Sequence, residues 1–278
     1  MKRYRVLNKF VKVLIYGALL LGVCLMALPF FWMLMTSLKT SAEVIQMPPA
    51  LVPKHFNWQN YMEALKAAPF RRYFLNSSIV AIGVTIGELI TTILASFAFA
   101  RYEFKGKNIL FSILLATMMV PSEVLLIPNF VTLSRLGWMD TYKALILPWC
   151  ANVFSIFLLK QYFMTIPESL YKSAKIDGCS DLKFLRYIMI PMAKPVLSII
   201  IVFKVISSWN SFLWPLIVTN SKEMRTLPVA LSAFTSEVGT DYHLLMAATT
   251  MMVLPIIILY VLTHRQILDN VSKAGIKG

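Results

Sequence analysis

The sequence has few charged residues for its length. Aspartate, glutamate, lysine and arginine together make up 14% of the 278 residues, whereas hydrophobic residues make up 58% and the mean hydropathy is +0.69. Soluble domains carry about 25% charged residues, so this composition excludes a typical soluble fold. Several apolar runs approach the roughly 20 residues that a helix needs to cross a bilayer. The sequence therefore predicts an integral membrane protein.

Cysteine and histidine are also scarce, with three of each. An odd number of cysteines, two of them within apolar runs, indicates neither a disulfide framework nor a metal cluster. His55, His243 and His264 fall in separate loops or in the tail, without the spacing of metal ligands or of a nucleophile and its base. The sequence also lacks a G-x-x-x-x-G-K-S/T phosphate-binding loop. We therefore expect no catalytic residue, no metal and no cofactor in this chain.

The hydropathy of the chain predicts six apolar spans. Each is long enough to satisfy its backbone hydrogen bonds as a helix, which lipid requires of a spanning element outside a closed barrel. The predicted fold is all-α, a polytopic membrane protein with six transmembrane helices. A basic N-terminal segment (1–12) precedes a six-span transmembrane domain (13–263) and a tail (264–278). The predicted spans are 13–35, 74–100, 109–130, 144–163, 196–218 and 244–262.

Basic residues are distributed unevenly between the two sides of this layout. An even number of spans places both termini on one side, and most of the 27 lysines and arginines fall on that side. Basic residues accumulate in cytoplasmic loops, so both termini are expected in the cytoplasm. The first apolar run is too long for a typical signal core, and we expect it to remain as an anchor. The net charge of +14 then requires no nucleic acid partner.

A polar loop between the fourth and fifth spans, residues 164–195, falls on the cytoplasmic side. Pro167 and Glu168 suit the first turn of a short helix, and Asp177 with Gly178 predicts its end, because glycine adopts the left-handed conformation without steric cost. Small residues dominate the end of one face of this helix, which carries Leu170, Ala174 and Gly178.

A second short helix should follow, with Ser180 as its N-cap. Apolar residues recur along it at helical spacing: Leu182, Leu185, Ile188, Met189 and Met192. Pro191 and Pro195 should interrupt it near the entry to the fifth span. Two interpretations of this helix-turn-helix stay open on physical grounds: a helix that docks into another protein, or an amphipathic loop at the membrane surface.

The same residues carry a family resemblance. Lys172-Ser173-Ala174-Lys175-Ile176-Asp177-Gly178, followed by Ile190-Pro191 and Pro195, resembles the cytoplasmic loop signature of permease subunits of ATP-binding-cassette importers. The usual form of that signature is Glu-Ala-Ala, two residues, Asp-Gly and a later proline pair. Ala174, Asp177 and Gly178 match it, whereas Lys172 replaces the glutamate and Ser173 replaces an alanine. The lysine reverses a charge, so no contact of the family glutamate is carried over to Lys172.

Two further stretches resemble the carbohydrate-importing branch of that family. The run from Trp209 to Leu216, followed by Arg225 to Val229, is similar to the fifth span of the branch and its external loop. Position 211, often glutamate in the branch, is serine here. Residues 273–278 resemble the cytoplasmic tail of the branch. Together with the six spans, the resemblance covers essentially the whole chain.

The resemblance implies several partners. It implies a dimer of ATPase subunits that bind ATP and magnesium, a second homologous permease subunit, and an extracytoplasmic solute-binding protein that delivers a sugar, a related polyol or a glycerol phosphate. It implies a multi-pass protein in the inner or plasma membrane of a bacterium or archaeon. The residues implied in docking the ATPase and coupling it to transport are Lys172, Ser173, Ala174, Asp177, Gly178, Pro191 and Pro195.

Polar and aromatic residues within the predicted spans are candidates for a transport path. A charged side chain at mid-bilayer costs roughly 2.5 to 3.5 kcal/mol, so Glu88, Glu123 and Lys204 should face protein or water. Packing is the alternative role, with Lys204 extending to the membrane surface and tryptophans acting as interfacial anchors. The residues assigned to a possible translocation path are Lys204, Trp209, Asn210 and Trp214.

Two other classes of protein remain as alternatives. A self-contained secondary transporter or channel would need its own ion-coupling groups and usually an internal repeat, and neither is clear in the sequence. A membrane enzyme is disfavoured by the scattered histidines. The longest external segment, 39–72, contains four prolines that exclude one long helix, whereas 57–67 predicts a short one. Family analogy makes this external surface the docking area for a binding protein.

Overall fold

The computed structural model describes residues 2–236 and 239–275, so the last three residues of the predicted tail lie outside the described residues. Helices dominate these ranges, and extended structure in them is limited to one antiparallel pair, Thr235–Ser236 with Gly239–Thr240. In chain order, the helices are α1 (Lys2–Ser37), α2 (Ser41–Val44), α3 (Gln59–Ala67), α4 (Phe70–Arg101), α5 (Lys107–Thr117), α6 (Leu126–Arg135), α7 (Tyr142–Ile146), α8 (Val153–Met164), α9 (Glu168–Ile176), α10 (Asp181–Phe184), α11 (Ile190–Met192), α12 (Lys194–Trp209), α13 (Leu213–Val218), α14 (Leu227–Ala230) and α15 (Tyr242–Gly275). Short 3₁₀ segments cover Ser122–Leu125, Leu147–Trp149 and Leu231–Phe234, and a π-helical turn covers Leu185–Met189.

Six spans account for the apolar helices. Three helices are individually long and apolar enough to cross a membrane: Val11–Ser37, Phe70–Arg101 and Tyr242–Thr263. Three bent pairs pass the same test together: Lys107–Thr117 with Ser122–Arg135, Tyr142–Trp149 with Val153–Met164, and Asp181–Met192 with Lys194–Trp209. With each pair taken as one span, the chain has the predicted all-α, six-span architecture.

The third and fourth predicted spans are both bent, and a proline lies in or just before each bend. The third turns by 90° between Thr117 and Ser122, and Pro121 lies in the break. A proline ring would clash with the carbonyl four residues earlier, which belongs to Thr117, the last residue of α5. The fourth span bends by 42° at residues 150–152, directly after the 3₁₀ segment that contains Pro148. Each of these two predicted spans is therefore a bent pair of helices and not one continuous helix.

The bounds of the fifth span differ from the prediction. A continuous helix over 196–218 is wrong, because α12 ends at Trp209 and α13 begins at Leu213. Pro215 explains the interruption: in a continuous helix its ring would collide with the carbonyl of Ser211. In α13, Pro215 lies in the first turn, where no intrahelical N–H bond is needed. The result is a non-helical stretch at residues 210–212 within an apolar region.

The chain divides into two compact units, of which the first comprises Met1–Ala68 and Leu231–Pro255. The segment that follows α1 contains the predicted short helix as α3. The buried Asn60 amide donates to the carbonyls of Ser37 and Lys39, both at 2.8 Å, and the buried Lys39 ammonium donates to the Ala50 carbonyl at 2.6 Å. These bonds satisfy the end of α1 and fix the loop that follows it.

The second unit comprises Pro69–Ala230 and Ile256–Gly278, and α4, α8 and α12 form its centre. One cluster of buried side chains joins these helices to the polar loop: Phe97, Leu159, Phe163, Ile166, Phe184, Leu185, Met189, Ala193, Leu197 and Ile200. The polar loop is therefore anchored by its own apolar side chains to the spanning helices.

The inward face of the second loop helix differs from the prediction. Leu182 and Met192 are 69% and 42% exposed, whereas Phe184 and Ala193 are fully buried. The π-helical turn at Leu185–Met189 accounts for the difference, because it places five residues where an α-helix places four and rotates the apolar positions. Between the predicted breakers Pro191 and Pro195, the chain bends by 78° at Ala193.

Candidate functional site

The polar loop begins with α9, whose end is closed by a complete Schellman motif. Gly178 has φ of +74°, its N–H donates to the Lys175 carbonyl at 3.1 Å, and the Cys179 N–H donates to the Ala174 carbonyl at 2.9 Å. These two bonds satisfy carbonyls that the helix end leaves open. A Cβ at position 178 would meet nothing within 4 Å, so only the backbone conformation requires glycine here. The predicted stop signal is confirmed.

The Asp181 carboxylate ties the loop together. Ser180 caps α10 as predicted by accepting from the Lys183 N–H, which places Asp181 in the first turn. Oδ1 accepts a hydrogen bond from the Tyr171 hydroxyl at 2.6 Å and lies 2.6 Å from the Lys175 ammonium. Oδ2 accepts from the Tyr102 hydroxyl at 3.1 Å. One carboxylate therefore joins α9, α10 and the residue that follows α4.

These contacts shift the pKa values of the charged and phenolic groups of α9. The hydrogen bond that Lys175 donates to Asp181 raises the pKa of the Lys175 ammonium. Burial, together with the Asp181 carboxylate, raises the pKa of the Tyr171 hydroxyl. On the exposed side of α9, a hydrogen bond from Lys172 lowers the pKa of Glu168, and the two charged atoms are 3.0 Å apart. Lys175 and Glu168 therefore keep their charges at neutral pH, and Tyr171 stays uncharged.

A second connection joins the start of the loop to α4. The Arg101 guanidinium, at the end of α4, donates to the carbonyls of Phe163 and Ile166 at 3.0 and 2.8 Å. Phe163 lies in the last turn of α8 and Ile166 in the connection to α9, where a helix end leaves carbonyls without intrahelical partners. Arg101 also lies 5.9 Å from the centre of the Tyr171 ring. The end of α4 thus holds both the entry and the exit of α9.

The structure divides the predicted docking residues between two faces of α9. Lys172, Ser173, Asp177 and Gly178 are exposed, whereas Ala174 is half-buried and packs against the chain's own apolar cluster. We define the coupling surface as the exposed residues Lys172, Ser173, Ile176, Asp177 and Gly178. Ile176, which the sequence reasoning did not select, is 86% exposed. The sequence could have revealed Ile176, because it is an apolar residue that lies off the inward face of α9, which Tyr171 and Ala174 occupy.

Two charged residues of the spans form a buried ion pair. The Lys204 ammonium on α12 lies 2.6 Å from Oε2 of Glu88 on α4, and the two side chains are 12% and 3% exposed. The Ser155 hydroxyl on α8 donates to Oε1 of Glu88 at 2.7 Å. Pairing and hydrogen bonding offset the cost of taking both charges out of water. Lys204 therefore faces protein, as expected, and does not extend to the membrane surface.

A cavity of about 320 Å³ lies beside this pair. Helices α4, α6, α7, α12 and α13 and the breaks between them contribute to its wall. Its polar lining residues are Ser122, Glu123, Asn129, Lys204, Ser207, Ser208 and Ser211, and its aromatic lining residues are Trp149, Phe212 and Trp214. The irregular stretches near Pro121 and Pro215 thus line the cavity, which is where non-helical backbone is tolerated at membrane depth.

The four path candidates do not all reach this cavity. Lys204 and Trp214 line it, and the Trp214 indole donates to the Ala144 carbonyl at 3.0 Å and contacts Trp149 edge to face. Trp209 is buried and packs edge to face on Phe74, while Asn210 is exposed at the end of α12; neither lines the cavity. The serines at 207, 208 and 211 were missed, although three serines within five residues of an apolar span were a visible signal.

The loop after α13 is fixed to α4. The Asn76 amide donates to the carbonyls of Glu223 and Arg225 at 2.7 and 2.8 Å, and its Oδ1 accepts from the Tyr142 hydroxyl at 2.6 Å. The Leu227 N–H donates to the Ser77 hydroxyl at 2.8 Å. The Arg225-to-Val229 stretch recognised in the sequence is therefore held against the spanning helices by buried polar groups.

An all-helical, multi-pass fold with a surface helix fixed to its spans and a polar cavity among them defines a membrane transport component. The chain belongs to the family of binding-protein-dependent transport system inner membrane components, which matches residues 89–273. This family is a transport component, which is consistent with a non-catalytic role.

Several proteins with similar sequences are named as permeases of transport systems. The chain is 34% identical to the arabinooligosaccharides transport system permease protein AraQ of Bacillus subtilis, over 90% of each chain. It is 31% identical to the sn-glycerol-3-phosphate transport system permease protein UgpE of Brucella suis, over 89% of this chain and 91% of that one. It is 30% identical to the diacetylchitobiose uptake system permease protein NgcG of Streptomyces coelicolor, over 93% and 86%.

Solved structures share the fold. The crystal structure of a bacterial ABC transporter involved in the import of the acidic polysaccharide alginate superposes with a TM-score of 0.81 at 24% identity, covering 90% of this chain and 95% of the matched chain. A second structure, of a bacterial alginate ABC transporter in complex with a pentasaccharide-bound periplasmic protein, gives a TM-score of 0.65 at 14% identity. At these identities the likeness concerns the fold.

Proposed function

We propose that this chain is one permease subunit of an ATP-driven importer that takes up a sugar, a related polyol or a glycerol phosphate. ATP is hydrolysed on a separate dimer of ATPase subunits, a second permease completes the path, and an extracytoplasmic binding protein delivers the solute. The family and the transport names of the similar proteins support this proposal. The observation that carries it is the exposed helix α9, which is held rigidly to the spanning helices.

The coupling surface docks on the ATPase in this proposal. Docking needs accessible residues, and Ile176 offers an exposed apolar side chain beside the polar Lys172, Ser173 and Asp177. Ala174 supports the surface from behind by packing on the apolar cluster. An exposed apolar side chain rimmed by polar groups is a common form of protein contact.

Force is transmitted through side-chain contacts between the loop and the spanning helices. Displacement of α9 pulls on Asp181 and Arg101, which connect it to α10 and to the end of α4. Pro191 and Pro195 flank the bend at Ala193, where the loop continues into α12. The loop and the spans therefore move as a packed unit, and ATPase closure at the loop changes the arrangement of α4 and α12.

The solute path includes the cavity beside Lys204 and Trp214. Lys204 belongs to α12, which packs on α4, and Trp214 shares a buried cluster with Val80 and Val84 of α4. Movement of the loop therefore reaches the cavity wall through α4 and α12. In this proposal both termini and the coupling surface face the cytoplasm, as the distribution of basic residues indicates. The loop that contains Arg225 then faces outward, towards the binding protein.

Three glycine variants test the coupling model. Gly178→Val should uncouple uptake from ATP hydrolysis, because a β-branched residue resists φ of +74° and the Schellman motif opens. Gly178→Asn should retain most uptake, because asparagine tolerates the left-handed region. Gly106→Val is the matched control: Gly106 has φ of +81° and equal free space, but lies outside the loop.

The measurement is solute uptake by membrane vesicles, with mild-detergent purification and mass spectrometry of the bound subunits. We expect an ATPase and a second permease to co-purify, and the ATPase to be lost with Gly178→Val alone. Normal uptake in Gly178→Val would refute the docking role of α9. Purification of the chain alone, with transport retained, would favour a self-contained secondary transporter.

A further inference from the structure

The cavity contains one cation whose charge is already neutralised. Lys204 lines the cavity, but its ammonium lies 2.6 Å from the buried Glu88 carboxylate, which faces it from α4. An anionic ligand at Lys204 would have to compete with a carboxylate that is only 3% exposed and is held by Ser155. Separating that pair would leave Glu88 buried without a counter-charge, which is strongly unfavourable.

The remaining charge on the wall is negative. Glu123 also lines the cavity, is exposed, and accepts a hydrogen bond from the neighbouring Ser122 hydroxyl at 3.1 Å. With Lys204 and Glu88 cancelling each other, Glu123 leaves a net charge of about −1 at the cavity. Like charges repel each other at short range, and more strongly in a partly enclosed site than in bulk water. The site therefore disfavours phosphate and carboxylate groups.

The rest of the lining suits hydroxyl groups and apolar faces. Ser207, Ser208, Ser211 and Asn129 supply hydrogen-bonding groups, and among the described residues the protein uses none of these four side chains in a hydrogen bond of its own. Other span hydroxyls differ: that of Ser198, for example, donates to the carbonyl four residues earlier. Trp149 and Trp214 add aromatic surface, and 320 Å³ lies at the small end of the range of ligand pockets, about 300 to 1,000 Å³.

We propose that this cavity is a binding site within the permease for an uncharged, polyhydroxylated ligand, such as a small saccharide or one unit of a longer one, and that the Lys204–Glu88 pair together with Glu123 excludes anions from it. The proposal rests on the proposed transport function and narrows it, because similar proteins are named for both charged and uncharged solutes. Serine and tryptophan side chains bind the ligand, and Glu88 acts as a positioning residue that holds Lys204 neutralised.

Thiol-reactive probes report the charge of the cavity. The complex is purified with a permease in which Ser207→Cys is combined with replacement of Cys24, Cys150 and Cys179 by Ala, Ser and Ala. Its reaction rate is measured with 2-sulfonatoethyl and 2-hydroxyethyl methanethiosulfonate, which differ in charge and are similar in length. We expect the sulfonate-to-hydroxyethyl rate ratio to be roughly five- to tenfold lower than for free cysteine, because the cavity repels the sulfonate.

Three variants assign that ratio to named groups. Glu123→Gln, at an exposed position that should not impair folding, should raise the ratio towards that of free cysteine. Glu88→Gln should also raise it, by releasing the charge of Lys204, whereas Glu88→Gln with Lys204→Met should return it to the level of the unaltered pair. A ratio equal to or above that of free cysteine in the unaltered pair would overturn the proposal.

Ligand protection supplies an independent readout. Vesicles are tested for uptake of arabinotriose, diacetylchitobiose and sn-glycerol 3-phosphate, and each solute is then tested for slowing the reaction of the hydroxyethyl reagent with the thiol of the Ser207→Cys variant. Protection by a transported saccharide supports the proposal; protection by sn-glycerol 3-phosphate, or none by a transported saccharide, overturns it. If an ATPase co-purifies but the charge bias is absent, only the cavity proposal fails. If the bias is present but no ATPase co-purifies, the importer proposal fails instead.

Discussion

The Tyr102 hydroxyl donates a hydrogen bond to the Asp181 carboxylate at 3.1 Å, although 79 residues separate them in the chain. Tyr102 directly follows α4, and Asp181 begins α10. The same carboxylate also binds Tyr171 and Lys175 of α9. A single side chain therefore connects the exposed helix to the longest helix of the second unit.

Removing the charge of Asp181 should loosen this connection. Asp181→Asn abolishes the ion pair with Lys175 and leaves an amide that cannot accept at both of its ends. We expect uptake to fall severalfold while ATP hydrolysis by the complex continues, which the ratio of solute moved to ATP consumed will show. Tyr102→Phe, which removes one bond, should have a smaller effect. Lys183→Ala, on the same helix, serves as the control, and an unchanged ratio in Asp181→Asn would contradict the prediction.

The exposed Ile176 gives a prediction about association. Ile176→Ser should weaken binding of the ATPase without lowering the thermal stability of the permease, because the side chain is 86% exposed and contributes little to its own fold. Association is measured by co-purification and stability by thermal unfolding in detergent. The matched control is Leu182→Ser, since Leu182 is 69% exposed on the adjacent helix but lies outside the coupling surface. Equal loss of the ATPase in both variants would argue against a specific contact at Ile176.

The buried ion pair should show strong non-additivity. Glu88→Gln or Lys204→Met alone leaves one charge without its partner and should cost about 3 to 5 kcal/mol of folding free energy. The double variant removes both charges, and we expect it to be close to neutral in stability. Thermal unfolding of the four proteins in detergent measures the coupling. Additive losses would show that Lys204 and Glu88 do not depend on each other.

Close helix packing predicts a rank order among three glycine variants. A Cβ at Gly87 would overlap the Cys150 sulfur and lie 2.9 Å from the Cys150 Cβ, whereas one at Gly83 would meet the flexible end of Ile146 at 2.9 Å. A Cβ at Gly22 would meet nothing within 4 Å. Alanine should therefore destabilise most at Gly87, by about 1 to 3 kcal/mol, less at Gly83 and least at Gly22. Thermal unfolding of the three variants checks this order.

Local signals allowed much of the fold to be predicted. Runs of apolar residues identified the six spans, and Gly178 and Ser180 marked the helix end and the cap that the structure contains. These features depend on neighbours in the chain, so sequence alone contains their cause. The helix breaks near Pro121 and Pro215 depend equally on local chemistry. The second was not predicted, because the apolar run continues through it.

Contacts between segments that are distant in the chain were harder to predict from the sequence. The sequence singled out Glu88 and Lys204 as costly charges, but their pairing depends on how α4 and α12 align. The inward orientation of Ala174 likewise depends on the apolar cluster behind it. Trp209 and Trp214, five residues apart, have different surroundings because the chain breaks between them. Such relationships are set by tertiary packing, which periodicity in one segment does not encode.

The π-helical turn at Leu185–Met189 makes this segment one residue longer than a regular helix between the same end points. Shortening the chain by one residue there would convert the turn to ordinary α-helix and leave Ala193, Leu197 and the rest of α12 facing as they do now. Shortening α12 by one residue at its middle would instead rotate everything beyond by about 100° and expose its buried face. The chain can therefore lose one residue at this turn while the spanning helices keep their orientation.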